Sequence, residues 1–373
     1  MSPSRFESAR ALVRAACEGG VTPGAQLSVR WRDALSGRWN DEDHAIGALS
    51  YGPESPATRV ETLYDLASVT KAIVSLAALS FARENQLSLS TRAHDLWPES
   101  TEGPVGDATL EALWSHRAEL AAWAPLFHET PPERAGSPAA REAMLARLVG
   151  EPLEPNGGTV RYSDLGYIAA GECIARASGT PLDALVERWV LARAREVFGP
   201  MRVGFRPFGP ATGPRADDTE VAPTEECPWR GRVVQGRVHD ENAYGLGGVC
   251  GHAGLFGTAR DLARIGEASL RALDGDDRVF APAVMREMTA VRAGGSHRLG
   301  WDGKSPAGSS AGARASERTF GHLGFTGTML WCDPDARVAV ALVTNRVHPS
   351  RETQGIRALR PAVMDAVLDA LGA

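Results

Sequence analysis

Apolar and polar positions alternate most clearly over residues 24–32, where Ala25, Leu27, Val29 and Trp31 are separated by Gln26, Ser28 and Arg30. A period of two places the two sets on opposite faces of a half-buried strand. Residues 45–51 supply a second strand, and residues 8–16, upstream of both, repeat apolar positions at the spacing of an amphipathic helix. The run 64–84 has no charge between Lys71 and Arg83. Apolar on all sides, it predicts a helix inside the protein. From about residue 85 to 240 the patterns are helical, interrupted by Pro/Gly-rich loops such as 129–138 and 205–214. Two strand-like runs, 319–333 and 337–345, meet at Asp333-Pro334-Asp335, a turn signal that predicts a hairpin. The second run, Val-Ala-Val-Ala-Leu-Val, is apolar on both faces and should be central. A helix over 357–371 closes the chain. Strands at both ends with helices between them predict a discontinuous α/β domain, 1–84 plus 241–373, carrying a mainly helical lobe, 85–240.

Length supports two lobes, because 373 residues exceed what a single core usually serves. The 40 Lys and Arg against 46 Asp and Glu give a net charge of −6, which offers no basic surface for phosphates. Nucleic acid is therefore excluded as an expected partner. No run approaches the ~18 apolar residues of a membrane span. The N-terminus mixes Arg5, Glu7, Arg10 and Arg14 among its apolar residues and lacks the uninterrupted stretch of a signal peptide. The expectation is a cytoplasmic protein with no membrane partner. Five scattered cysteines, Cys17, Cys173, Cys227, Cys250 and Cys332, form no C-x-x-C pair and fit neither a disulfide framework nor a zinc site. They read as buried thiols.

Only Lys71 and Lys304 among the basic residues are lysines. Arginine stays charged in a protein, whereas a desolvated lysine can give up its proton and act as a base. Lys71 stands three residues after Ser68, a spacing that puts hydroxyl and amine on one helical face. Ser68 also falls at the predicted helix start, where free N–H groups and the positive dipole end favour an anion. Both effects are expected to push Lys71 toward its neutral form and to stabilise a developing oxyanion. Taken alone, an S-x-x-K also arises by chance.

The S-x-x-K is followed in order by Leu87-Ser88-Leu89, Glu154-Pro155, Tyr162-Ser163-Asp164-Leu165-Gly166-Tyr167, Gly247-Gly248, a Gly254-to-Ala259 stretch and His322-Leu323-Gly324-Phe325-Thr326-Gly327. With these landmarks the chain resembles the serine β-lactamase and penicillin-binding-protein superfamily, and most of all its class C β-lactamase-like and esterase branch, over about residues 24–348. The resemblance implies an antiparallel sheet flanked by helices with an inserted helical lobe, and a site in the cleft between.

It also implies roles. Ser68 is the nucleophile, and Tyr162 of the Y-x-N-like motif stands against it, its phenolate favoured by the Lys71 ammonium, to take and return the proton. Asp164 replaces the asparagine of relatives, which removes amide donors and adds a charge that can bind Lys71. His322 replaces the lysine of K-T-G and supplies a weaker cation for a substrate carboxylate. Gly324 lets substrate approach the strand, and the backbone N–H of Phe325 joins that of Ser68 as oxyanion hole. His239, Asn242 and His252 are expected to line the pocket, and the part played by Ser115-His116-Arg117 is left open. A metal site at His239, Asp240, Glu241 and His252 is not favoured, because the spacing matches no zinc signature.

The expected activity is a serine hydrolase that cleaves an ester or amide of a small acyl substrate through an acyl-enzyme on Ser68, with no metal or organic cofactor. An esterase ranks first, given His322. A β-lactamase or D-alanyl-D-alanine peptidase is the alternative, an acyltransferase a third, and a non-catalytic binding module the reading of another class.

Overall fold

The computed structural model describes residues 4–157 and 159–373; Met1, Ser2, Pro3 and Gly158 lie outside the described residues. Its strands are β1 (Gly24–Arg32), β2 (Trp39–Gly47), β3 (Tyr64–Asp65), β4 (Gly204–Phe205), β5 (Glu226–Cys227), β6 (Arg232–Val233), β7 (Leu255–Gly257), β8 (Asp302–Gly303), β9 (Phe320–Leu323), β10 (Met329–Asp333) and β11 (Val338–Thr344). Six of them form one antiparallel sheet in the order β2-β1-β11-β10-β9-β8. Among its helices are α1 (Glu7–Glu18), α2 (Val69–Glu84), α3 (Asp164–Ser178), α4 (Ala259–Leu273) and α5 (Ile356–Leu371).

Alternation in β1 sends Ala25, Leu27 and Val29 into a core shared with Phe6, Val13, Val363 and Val367 of the two terminal helices. The polar set also turns inward, because α4 covers the second face. There Gln26 accepts from the Ala259 amide at 2.8 Å, and Arg30 pairs with buried Glu267 at 2.5 Å. A strand that looked half-buried is thus buried on both sides, its polar residues satisfied one by one. β11 is central and wholly buried, as its apolar composition predicts. The sheet carries the larger core on its other face, where Leu330, Ala341 and Val343 join α2 and α4.

Two predicted strands shift. The second begins at Trp39, earlier than residue 45, because its register is set by backbone pairing with β1 (Arg32↔Trp39, Gly24↔Gly47). As an edge strand it tolerates the polar Asn40-Asp41-Glu42-Asp43 that hid it. The run 319–333 is two strands. After Leu323 the chain turns through Gly324–Thr328, with Gly327 at φ 104° and the Gly324 amide donating to Thr328 O at 2.8 Å. It then returns as β10 paired to β9 with Leu330 opposite His322. A smaller sheet, β3-β7-β4, lies under the start of α2. The helical insertion between β3 and β7 brings in α3. Four cysteines are buried, Cys17 is partly so, and all five are free.

Candidate active site

Ser68 is the N-cap residue of α2, and its hydroxyl makes no capping bond. The residue before it, Ala67, sits at φ 46°, a left-handed conformation that costs a non-glycine residue energy and that the surroundings must hold in place. They do so through Asp65, whose Oδ1 accepts from the Ala67 amide at 2.8 Å and whose Oδ2 accepts from the His239 amide at 2.6 Å. Burial pushes the Asp65 carboxyl above its usual range, against these bonds. The turn of the β9–β10 hairpin braces the same segment: Thr326 Oγ1 donates to Asp65 O at 2.7 Å and Thr328 Oγ1 to Leu66 O at 2.9 Å.

Lys71, one turn into α2, is fully buried. Its Nζ donates to Ser68 Oγ at 2.8 Å, to Asp164 Oδ1 at 2.6 Å and to the His252 carbonyl at 3.2 Å. All three protons of an ammonium are used, and one acceptor is a carboxylate. Asp164 forms an ion pair with Lys71, the contact expected of a carboxylate at this position. Asp164 is carried there by α3, whose N-cap Ser163 accepts from the Gly166 amide at 3.0 Å.

Tyr162 lies with its ring 4.8 Å from Lys71 Nζ, packed against His116 at 4.6 Å, His297 at 5.7 Å and His322 at 6.2 Å between ring centres. Burial first, then the Asp164 charge, raise its phenol well above the ordinary value near 10. Both causes work against the phenolate expected at Tyr162. His116, whose role the sequence left open, supports this arrangement from beneath, its Nδ1 accepting from the Ser163 amide at 3.0 Å. Burial, His297 and Lys71 hold the His116 imidazole well below its usual pKa.

His322 lies near the end of β9 at 3 % exposure. Its Nδ1 lies 2.7 Å from the Leu323 carbonyl, an acceptor that assigns the proton to Nδ1 and leaves Nε2 as a lone pair without a partner in the cleft. Burial and then Lys71 press its pKa well below 6.5. Both causes favour its neutral form over the weak cation expected. Gly324 also departs from expectation. A Cβ there would meet Thr328 Oγ1 at 2.0 Å and Leu66 O at 2.5 Å, so the protein itself fills the space the glycine leaves. Among the described residues, neither the Ser68 nor the Phe325 amide donates to an acceptor in the fold. The Phe325 ring stacks on His239 at 5.8 Å.

These groups border a cleft of about 910 Å³ that includes Ser68, Tyr162, Asp164, His239, His322, Gly324 and Phe325. Two expected pocket residues lie behind it. Asn242 is fully buried, and its amide serves the backbone at Phe127 (3.0 Å) and Ala124 (2.9 Å). The His252 ring bonds Asp240 at 2.8 Å and Cys250 at 3.2 Å, so only its carbonyl reaches the site. Sequence reasoning missed Trp123, His297, Arg346 and Arg360, which also line the cleft. No motif announces them, and the C-terminal helix reads as simple amphipathic packing. Among the described residues no set of three or more His, Cys, Asp or Glu is placed to hold a metal ion, and no helix is long and apolar enough to cross a membrane.

Fold and site together are of the serine-hydrolase type: an antiparallel sheet flanked by helices, an inserted helical region and a serine at a helix tip bonded to lysine in a cleft suited to a small acyl substrate. The chain belongs to the beta-lactamase family, whose model matches residues 11–363. It is 30% identical over 318 residues to an N-acetylmuramyl-L-alanine amidase of Bacillus subtilis strain 168, covering 78% of this chain and 69% of that protein. It is 31% identical over 303 residues, 77% of this chain and 70% of the other, to an Escherichia coli K12 protein provisionally named a D-alanyl-D-alanine carboxypeptidase. Among solved structures it is similar to EstCE1, a hydrolase with promiscuous acyltransferase activity, at TM-score 0.74 and 20% identity, covering 97% of this chain and 98% of that one.

Proposed function

We propose that this protein hydrolyses the amide bond of a small peptide of the D-alanyl-D-alanine type, through an acyl-enzyme on Ser68. The observation that carries the reading is the continuous chain Ser68 Oγ, Lys71 Nζ, Asp164 Oδ1, with links of 2.8 and 2.6 Å. Lys71 first gives the proton of its 2.6 Å bond to Asp164, and the amine then turns its free lone pair to Ser68 Oγ and takes the hydroxyl proton as Ser68 attacks the carbonyl carbon; the lysine ends charged and the carboxylate ends as an acid. Tyr162, a neutral phenol beside both groups, donates to the leaving nitrogen and is reprotonated from Asp164 through Lys71. An ester would pass through the same steps and release an alcohol in place of the amine, the leaving atom being oxygen instead of nitrogen. The amides of Ser68 and Phe325 receive the oxyanion, each worth about 10²–10³ in rate. Water repeats the sequence on the acyl-enzyme.

Amide cleavage takes precedence over the esterase expected from sequence because of what the two relatives near 30% identity are named for. An ester hydrolase is the second reading. It is favoured by the neutral His322 where a cation would meet a free carboxylate. The deciding experiment incubates the protein with a D-alanyl-D-alanine-terminated peptide, a fluorescent penicillin and p-nitrophenyl esters, with Ser68→Ala as control. Release of D-alanine and covalent labelling, both lost in Ser68→Ala, are expected. Ester turnover without either would select the second reading, and equal behaviour of Ser68→Ala would refute both.

A further inference from the structure

The carboxyl-terminal helix sends Arg360 into the back of the catalytic cleft, where it is 8 % exposed. Its Nη2 donates to two carbonyls of the β9–β10 turn, Gly324 O at 2.5 Å and Thr328 O at 2.9 Å. Among the described residues no carboxylate pairs with it, and Nε is buried without a partner. Burial, and then the neighbouring Arg346, lower its pKa to about 9. A buried guanidinium without a counterion is costly to keep. What it touches gives it a use.

Gly324 C=O and Phe325 N–H are the two ends of one trans peptide, pointing in opposite directions. A cation bonded to the oxygen fixes the plane and draws electron density from the nitrogen, which strengthens the N–H as a donor. The next carbonyl is held in the same way. Phe325 O accepts from Arg346 Nε at 2.9 Å and Nη2 at 2.6 Å, and Arg346 is anchored in turn on Arg351 O and Thr353 O at 3.0 and 2.8 Å. Two buried guanidiniums therefore grip the peptides on either side of Phe325 from behind, while the Phe325 amide stays unengaged within the fold.

We propose that Arg360 is a positioning residue of the oxyanion hole, clamping the Gly324 carbonyl so that the Phe325 N–H is aimed and polarised toward the acyl oxygen on Ser68. This rests on the Ser68 acyl-enzyme reading above. The competing role for a cation in this place is a seat for a substrate carboxylate, and the two roles separate kinetically. The full-length protein, Arg360→Met and Arg360→Lys are compared on a neutral p-nitrophenyl ester and on a depsipeptide ending in a free carboxylate. An alkyl boronic acid, which forms a tetrahedral adduct on serine, is titrated against each. Expected for Arg360→Met is a fall in kcat of about tenfold to a hundredfold on both substrates, KM within about threefold, and a matching loss of boronate affinity. Arg360→Lys, which keeps the charge but not the two-carbonyl grip, should lie between; it also decides the matter if the methionine variant does not fold. Unchanged kcat, or a loss confined to the KM of the carboxylate substrate, would overturn the proposal. Activity surviving in Ser68→Ala would instead overturn the reading beneath it.

Discussion

Asp164 stands where relatives of this sequence are expected to carry asparagine, and one oxygen atom changes the proton inventory of the site. With a carboxylate 2.6 Å from Nζ, the proposed route has Lys71 relay a proton that it does not keep. Two substitutions separate this from a lysine acting alone. Lys71→Arg preserves the charge but cannot relay, so kcat should fall about 10²–10⁴-fold. Asp164→Asn removes the terminal acceptor. Its kcat should then fall about 10²–10⁴-fold as well. An unchanged kcat in Asp164→Asn would exclude Asp164 as acceptor. The S-x-x-K itself, the tyrosine motif and the aspartate were all legible, since each is a residue type at a fixed spacing. Their protonation was not legible, because it depends on the distance between groups 93 residues apart in the chain.

At the scale of elements, the site is two turns pressed together. The left-handed turn before α2 presents Ser68, and the β9–β10 turn presents Phe325; threonines 326 and 328 tie one to the other through Asp65 O and Leu66 O. Gly324 sits at the joint. Gly324→Ala would place a methyl 2.5 Å from Leu66 O, backbone that cannot swing aside. We expect the variant to lose about 1–3 kcal/mol of stability by over-packing and most of its activity. Denaturant midpoints and turnover measured together check this, and a stable, fully active variant would mean the turns are not coupled. Composition revealed that 319–333 is extended, yet its apolar character continues through Phe325 and conceals the reversal. The break is made by Gly324 and Gly327, whose left-handed or crowded positions show only once the partner strand is in place. The edge strand β2 was misplaced for the related reason that its register comes from β1 and not from its own side chains.

Across the whole molecule, buried histidines give stability a maximum in pH. His116, His297 and His322 are depressed below the usual 6.5, chiefly by burial. Below that value the unfolded chain takes up protons that the folded one refuses. Stability therefore falls toward acid, by up to ~1.4 kcal/mol per pH unit for each histidine kept neutral. His252 behaves oppositely. Burial works against its charge, but Asp240 at 2.8 Å overcomes this and raises its pKa well above 6.5. The stabilisation it contributes is complete below about 6.5 and is lost as pH climbs through the raised value. Chemical denaturation at pH 5, 6.5 and 8.5 should show the largest unfolding free energy at the middle value. A steady rise from 5 to 8.5 would contradict this account.

The linear chain was enough to identify the amphipathic first helix, the buried second one, the central strand, the family resemblance and the serine, lysine and tyrosine that the fold brings together. Each is encoded locally, in periodicity or in short spacing. Assembly alone joined Lys71 to Asp164, raised the Tyr162 phenol and lowered the His322 imidazole by burial, withdrew Asn242 and the His252 ring from the cleft, and brought Arg346 and Arg360 behind the Phe325 amide. Those outcomes follow from burial and from contacts between segments remote in sequence, and electrostatic energy depends on such distances and on the exclusion of water rather than on order along the chain.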